Sequence, residues 1–208
     1  MAKQMAFYFD ASACTDCKAC MIACKDRADS PVGVKWRRVY QYGGGSWIQK
    51  NGTLVPNNIF SYSVSVACMH CERPICAEVC PTKAIFKRDE DGVVLIDADK
   101  CIGCRYCEWA CPYGAPQFDE EIGVMTKCDF CEDLVAEGNN PACVDACVMR
   151  CLDFGDLAEL REKYGDFNEI EPLPQSEMTK PAFVVTPHEN TQLSGMGSGK
   201  LQNLPTEV

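Results

Sequence analysis

Hydrophobic and polar residues alternate in two stretches of the first third of the chain, WRRVYQY at 36–42 and IFSYSVSV at 59–66. Alternation with a period of two predicts β-strands that present one face to a core and the other to solvent. The runs GGGS and KNG lie between these stretches and consist of residues that favour turns. We therefore expect a β-rich insertion at residues 31–67, with a turn at each of the two runs.

Shorter elements are predicted further along the chain. The stretch TKAIFKRDEDGVVLIDADK contains two short apolar runs separated by DEDG, which predicts a β-hairpin. Further on, FGDLAELREKYGDF predicts one helix with Asp156 as its N-cap. The remainder is rich in Pro, Gly and polar residues, with a short strand candidate at Val184 and Val185. It is either an extended arm that orders against a partner or a flexible tail.

Cysteine content changes this picture most, because the 208-residue chain contains 17 cysteines. Such density is typical of a disulfide framework, of zinc sites or of iron–sulfur clusters. The count is odd, and the initial stretch MAKQMAFYFDASAC lacks the apolar core and cleavage site of a signal peptide. No run of about 18 apolar residues predicts a membrane span. We expect the chain to fold in the cytoplasm with reduced thiols, and partners can still place it at a membrane.

Net charge and motif content exclude several classes of function. The formal net charge of −10 disfavours nucleic-acid binding, because such proteins are usually basic. The sequence has no nucleophile constellation, phosphate-binding loop or dinucleotide-binding fingerprint. We therefore expect no catalytic residues and no direct small-molecule substrate on this chain.

Sixteen of the cysteines fall into four groups of four. In chain order the groups are Cys14, Cys17, Cys20 and Cys24; Cys68, Cys71, Cys76 and Cys80; Cys101, Cys104, Cys107 and Cys111; and Cys128, Cys131, Cys143 and Cys147. Groups one and three have the spacing C-x2-C-x2-C-x3-C of bacterial ferredoxins, in which three thiolates bind one [4Fe–4S] cluster and the fourth binds its neighbour. Groups two and four lengthen the gap before the third cysteine and keep the final x3 step. All sixteen are predicted metal ligands.

Zinc is the main alternative for an isolated C-x2-C pair. Four groups, two of them with the complete ferredoxin run, favour iron–sulfur clusters, for which soft thiolates are the usual ligands. Zinc sites also use histidine often, and the chain contains only two, His70 and His188. We interpret His70 as a residue near a cluster or at the surface, and not as a ligand.

The order of the groups allows sequential or nested pairing. Groups two and three are separated only by the predicted hairpin segment, as in a compact ferredoxin, whereas 43 residues lie between groups one and two. Length therefore favours nesting, and the motif rule then predicts four ligand sets. The first set is Cys14, Cys17, Cys20 and Cys147; the second is Cys24, Cys128, Cys131 and Cys143; the third is Cys68, Cys71, Cys76 and Cys111; the fourth is Cys80, Cys101, Cys104 and Cys107.

The predicted fold class is α+β, with two nested bacterial-ferredoxin-like modules of two [4Fe–4S] clusters each, a β insertion and an extended C-terminal arm. The expected boundaries are 1–30 plus 121–155 for the outer module, 31–67 for the insertion, 68–120 for the inner module, and 156–208 for the helix and the arm.

Three basic residues and a spare cysteine lie close to the motifs. Lys18, Arg105 and Lys127 are within or beside the groups, where a positive charge would favour the reduced cluster, unless these side chains only face solvent or a partner. Cys151 belongs to no group, and the x3 spacing favours Cys147 as the ligand. We expect Cys151 to be a buried structural thiol.

With these groups in this order, the chain resembles the four-cluster ferredoxin subunits of the molybdopterin oxidoreductases, and within them the iron–sulfur (B) subunits of anaerobic dimethyl sulfoxide reductases. The stretches that carry the resemblance are FYFDASACTDCKACMIACKD, WRRVYQYGGG, DGVVLIDADKCIGCRYCEWACPYGAPQF, MTKCDFC, LDFG and LPQSEMTKPAFVV. The chain departs from the family in having Val148, where proline usually follows the last ligand.

The resemblance implies a non-catalytic electron-transfer subunit with four [4Fe–4S] clusters. Such a subunit joins a catalytic subunit, which holds molybdenum or tungsten bis(molybdopterin guanine dinucleotide), to an integral-membrane anchor that oxidises quinol in anaerobic respiration. It is then membrane-associated through its partners, on the periplasmic face if it is exported with them. One alternative is an electron-transfer subunit of a polysulfide, thiosulfate or tetrathionate reductase, or of a soluble hydroxylase or transhydroxylase. Another is a free ferredoxin-like carrier.

Overall fold

The computed structural model describes residues 3–203 and consists of short helices and small sheets. The strands are β1 Met5–Asp10, β2 Arg38–Lys50, β3 Thr53–Val66, β4 Ile85–Lys87, β5 Val94–Ile96, β6 Gln117–Asp119, β7 Val124–Thr126, β8 Leu152–Asp156, β9 Phe183–Thr186 and β10 Lys200–Leu201. The helices are α1 Ala19–Arg27, α2 Ile75–Glu78, α3 Tyr106–Ala110, α4 Glu132–Ala136, α5 Ala142–Asp145 and α6 Leu157–Tyr164, with a 3-10 turn at Ser176–Met178. The predicted α+β class is confirmed.

β1 is the central strand of a three-stranded sheet in the order β8-β1-β9. It pairs antiparallel with β8 and parallel with β9, so that Phe7 lies opposite both Phe154 and Phe183. One face of β1 contributes to the main core, whereas Ala6 and Tyr8 on the other face pack against α6. Burial of both faces explains the continuous apolar run of this strand.

The C-terminal region orders against the rest of the same chain. β9 contains the predicted strand at Val184 and Val185 and joins the sheet of β1, while β10 pairs antiparallel with β2. The prediction of a short strand is confirmed. This strand and β10 pair with strands of the same chain, so neither a partner-dependent arm nor a flexible tail describes them. The first two residues of the expected outer module and residues 204–208 of the expected arm lie outside the described residues.

β2 and β3 form a long antiparallel hairpin in which Tyr42 lies opposite Tyr62. The predicted strands and the turn at Asn51 and Gly52 are confirmed. The prediction of a turn at GGGS is wrong, because these residues lie within β2 and form an irregularity where the register shifts between Gly44 and Ser46.

The conformation of Gly45 explains why the glycine run lies within a strand and does not form a turn. Its φ is +97°, and a Cβ atom at this position would lie 2.3 Å from the carbonyl oxygen of Asn58. Only glycine fits this conformation and this close backbone approach. The glycines therefore permit a kink in a continuous strand.

The chain between the two long strands and β8 forms two short hairpins, β4–β5 and β6–β7. The DEDG turn is confirmed between β4 and β5, where the Gly92 N–H donates to the Arg88 carbonyl. The α6 prediction is also confirmed, because the Asp156 side chain accepts a hydrogen bond of 2.9 Å from the Ala158 N–H. Within the described residues, no helix is both long enough and apolar enough to cross a membrane.

Candidate metal centres

The loops of cysteine groups one and three have matching backbone conformations. Asp16 and Gly103, which precede the second cysteine of each motif, have φ values of 56° and 65°. Lys18 and Arg105, which follow that cysteine, have φ values of 62° and 65°. Two left-handed residues in each loop curl the chain around the space that its three thiols face. The repeated spacing is therefore accompanied by a repeated structure.

Each of these loops leads directly into a helix that carries further cysteines. α1 begins after Lys18 and contains Cys20 and Cys24, both buried, one helical turn apart. α3 begins after Arg105 and contains Cys107, and Cys111 caps its C-terminal end. A thiol one turn further along the helix lies next to a different part of the core, as the motif rule requires of the fourth ligand.

Two pockets are lined by cysteines. The cysteines of one are Cys68, Cys71, Cys76 and Cys111. The cysteines of the other are Cys14, Cys17, Cys20, Cys147 and Cys151. The structure thus brings the members of the third predicted set together, and those of the first set together with Cys151.

The cysteines of the second predicted set are mutual electrostatic neighbours. The pKa of the Cys24 thiol is raised to about 12, mainly by burial; nearby Arg37 lowers it, and the charges of Cys143 and Cys131 raise it. Burial also raises the pKa of Cys128, and Cys24 is the largest charged contributor. Thiols with such pKa values need a metal or a nearby cation to be ionised at neutral pH.

The fourth predicted set lies around the small core formed by β4, β5 and β7. Burial raises the pKa of Cys107 to about 11, and the charges of Cys101 and Cys104 contribute to the increase. Cys80 and Cys101 pack against the buried cluster that contains Cys107. The Met125 N–H donates to the Cys101 sulfur over 3.4 Å.

Hydroxyl and amide groups approach several of the predicted ligands. Thr179 Oγ1 lies 3.3 Å from Cys71 Sγ, and Ser65 Oγ lies 3.5 Å from Cys20 Sγ. A hydroxyl that donates to ligand sulfur, as Ser65 can to Cys20, stabilises negative charge and tunes a cluster. Sequence reasoning missed both residues, because a hydroxyl group distant in the chain carries no local signal of proximity to a cysteine.

Cys151 is buried, as predicted, and contacts the first predicted set. Its sulfur lies 3.3 Å from Cys147 Sγ, and its N–H donates to the same atom over 3.3 Å. A hydrogen bond from Cys151 lowers the pKa of Cys14 to about 7 despite partial burial. Cys151 is therefore a neighbour of two predicted ligands.

Of the three basic residues near the motifs, Lys18 lines the pocket of the first predicted set, and the other two have different environments. Lys127 is 4% exposed and donates to the Cys128 carbonyl oxygen over 3.0 Å, whereas Arg105 is exposed and pairs with Glu108 at 2.7 Å. His70 is buried and not at the surface, and its Nδ1 accepts a hydrogen bond from the Val94 N–H. Burial, followed by the charges of Lys127 and Arg37, lowers the pKa of His70 well below its ordinary value, so the imidazole is neutral.

The donor atoms and cavities fit iron–sulfur clusters. All 17 cysteines are free thiols. Among residues 3–203, no group of three or more His, Cys, Asp or Glu side chains is arranged to hold a single metal ion. The fit depends on thiolates as the preferred ligands of iron and sulfide, and on two pockets that four or more cysteines line.

Comparison with known proteins relates this arrangement to a family. Residues 59–157 match the 4Fe-4S dicluster domain. The chain is 51% identical over 208 residues to the B subunit of anaerobic dimethyl sulfoxide reductase from Escherichia coli (strain K12), with 100% of both proteins covered. It is 50% identical over 206 residues to the corresponding subunit of Haemophilus influenzae, covering 99% of this chain and 100% of that one. It is 35% identical over 194 residues to the B subunit of polysulfide reductase from Wolinella succinogenes, covering 91% and 97%.

Proposed function

The chain belongs to the family of anaerobic dimethyl sulfoxide reductase B subunits, and from this premise we propose that it carries four [4Fe–4S] clusters between a quinol-oxidising anchor and a molybdopterin catalytic subunit. It is an iron–sulfur electron-transfer subunit of an oxidoreductase complex. The observation that carries the proposal is the pair of cavities whose cysteines include the complete first and third predicted sets. The electrostatic contacts within the second and fourth sets support the other two clusters.

The clusters supply reversible one-electron chemistry at potentials that span about −700 to +450 mV in proteins. The role of this chain is to hold their positions and adjust their electrostatic environment. Burial of most thiols limits access of water, while hydroxyl, amide and cationic groups stabilise sulfur charge. No bond is made or broken on a substrate by these residues.

Nested modules are part of the proposal. The outer module would comprise residues 1–30 and 121–155, and the inner module residues 68–120. Contact between α1 and α5 supports the pairing of groups one and four, and contact between α2 and α3 supports the pairing of groups two and three. The insertion at 31–67 and the C-terminal segment from 156 would then cover these modules.

Apolar side chains exposed near two of the ligand sets support the two partners. Ile102 and Trp109, 67% and 75% exposed, lie in or beside group three. Val148, 68% exposed, follows the last ligand of group four. Large exposed apolar side chains near a redox group are suited to protein contacts that bring a second cofactor within electron-transfer range. The complex would be membrane-associated through the anchor.

The alternative is that the chain is the electron-transfer subunit of another molybdenum or tungsten enzyme of the same superfamily. The likeness to the B subunit of a polysulfide reductase favours this second candidate. Both candidates use the same clusters and differ only in the catalytic subunit. An assay of the assembled complex is therefore needed to identify the substrate.

The test is anaerobic purification of the complex, with iron analysis and quinol-dependent reduction assays. We expect about sixteen irons on this chain, as four [4Fe–4S] clusters require. We also expect oxidation of menaquinol on addition of dimethyl sulfoxide. Activity only with polysulfide would favour the alternative, and about one metal ion per four cysteines would overturn both.

A further inference from the structure

Arg37 is the largest fully buried side chain in the described part of the protein, with 2% of its surface exposed. It lies immediately before β2, in the stretch that alternation alone predicts to be a strand with a solvent-facing side. A guanidinium group is rarely buried without a paired carboxylate. Within residues 3–203, the ion pairs between basic and acidic side chains do not include Arg37.

The contacts of Arg37 lead to two cysteines of group one. Nη1 donates to Ser65 Oγ over 3.1 Å, and the same oxygen lies 3.5 Å from Cys20 Sγ. Because the serine oxygen accepts from Arg37, its own hydrogen can be donated to the Cys20 thiolate. The backbone of Arg37 also lowers the pKa of the Cys24 thiol. Arg37 is therefore a neighbour of both cysteines, which lie one helical turn apart.

The remaining donors of the guanidinium group have no protein acceptor in the described part of the chain. These are Nε and Nη2, and both are buried. One face of the group is covered by the Phe7 ring, with 4.7 Å between the guanidinium carbon and the ring centroid. Buried donors of a charged group require acceptors, and cluster sulfides and ligand thiolates are acceptors of this kind.

The largest charge contributions at Arg37 come from cysteine thiolates. Burial opposes the charged form, but the thiolates of Cys143, Cys20, Cys128 and Cys24 outweigh burial and raise the pKa of Arg37. Cys20 belongs to the first predicted set and the other three belong to the second. The guanidinium group thus lies where the two clusters of the outer module would be closest.

We propose that Arg37 is a positioning residue that supplies a shared positive charge and hydrogen-bond donors to the clusters of the first and second ligand sets. It stabilises their reduced forms, which are more anionic, and so raises their reduction potentials relative to those of the inner module. The inference rests on the proposed four-cluster function. It adds a physical reason for the outer and inner modules to differ in electron affinity.

The test is a redox titration of the purified complex, monitored by electron paramagnetic resonance, with Arg37→Met and Arg37→Lys. We expect Arg37→Met to lower the equilibrium constant for reduction of the first- and second-set clusters at least tenfold, which corresponds to about 59 mV for one electron. Arg37→Lys keeps the charge and loses the fork of donors, so a smaller decrease is expected. Arg161→Met, which changes a half-exposed arginine, should leave every potential unchanged.

Single substitutions assign the signals to ligand sets. The variants for this purpose are Cys20→Ser, Cys128→Ser, Cys71→Ser and Cys104→Ser. Unchanged outer-module potentials in Arg37→Met with full iron content would overturn the inference. If Arg37→Met loses iron, the titration of Arg37→Lys tests the inference instead. Unchanged potentials in Arg37→Lys, or loss of its clusters, would overturn a role of Arg37 in tuning.

The iron content and cluster signals of the unsubstituted complex test the proposed function separately. Absence of four clusters in that complex would reject the function itself. Presence of four clusters with potentials that do not respond to Arg37 would reject only the inference.

Discussion

The sulfur atoms of Cys147 and Cys151 lie 3.3 Å apart, and the N–H of Cys151 donates to Cys147 Sγ. Both residues border the cavity of the first ligand set, so this cavity has one thiol more than a cluster requires. The spare thiol is placed to donate a hydrogen bond to the ligands and has no need to bind iron itself. The first prediction separates these roles.

Replacement of Cys151 by alanine should leave four clusters and lower the potential of the first-set cluster. The variant loses the S–H group that lies within hydrogen-bond reach of Cys147 and Cys14, and a sulfur hydrogen bond of this kind favours the reduced cluster. Redox titration gives the potential, and iron analysis gives the cluster number. As the matched control, Cys147→Ala should lose the cluster or one iron from it. The assignment would be reversed if Cys151→Ala lost iron and Cys147→Ala kept it.

Replacement of Cys104 by serine should affect only the fourth-set cluster. A serine oxygen is a poorer ligand for iron than a thiolate, so we expect loss of this cluster or its conversion to a three-iron form. Iron analysis and electron paramagnetic resonance measure the result. Retention of four intact [4Fe–4S] clusters would show that Cys104 is not a ligand.

Replacement of Gly45 by alanine should destabilise the long hairpin more than replacement of Gly52. Both glycines have positive φ, so each substitution introduces backbone strain of about 1–3 kcal/mol. Only at Gly45 would the new Cβ also collide with backbone, 2.3 Å from the Asn58 oxygen; at Gly52 nothing lies within 4 Å. Thermal unfolding and limited proteolysis of the complex measure the difference. Equal effects of the two substitutions would contradict the described irregularity of β2.

Replacement of Asp91 by asparagine should destabilise the protein at neutral pH by about 1.5–3 kcal/mol, the usual value of a hydrogen bond to a charged group. Partial burial alone would raise the pKa of Asp91, but hydrogen bonds from Arg88 and the Val93 N–H outweigh it and lower the pKa. This stability is present above the unfolded pKa of about 3.9 and is lost as the pH falls through the lower folded pKa.

The measurement for Asp91 is denaturant-induced loss of circular dichroism at several pH values. The difference between Asp91→Asn and the unsubstituted protein should be constant from about pH 8 to pH 5 and decrease below about pH 4. Asp89→Asn in the same turn is the control, since Arg88 forms its ion pairs with Glu90, Asp91 and Glu132. A difference that grows as the pH falls would contradict the sign of the pKa shift.

Local chemistry made the short-range features predictable. A C-x2-C-x2-C loop, an Asp N-cap and a DEDG turn each depend on neighbours within a few residues, and the structure contains the predicted helix and hairpin. The GGGS run was misjudged because glycine permits both a turn and a strand irregularity. The choice between them depends on Asn58 and Ile59 of the facing strand, which no local pattern includes.

The sequence by itself determined which sulfur atoms are available and how each loop curls, because ligand spacing and left-handed loop residues act over a few bonds. Only the tertiary structure decided which groups outside the motifs lie beside the cysteines: Thr179 contacts Cys71, Ser65 contacts Cys20, and Arg37 contacts Ser65. The physical reason is that these neighbours are distant in the chain and are brought together by burial and strand pairing. A cation within an alternating strand pattern becomes a buried charge only when the whole core closes around it.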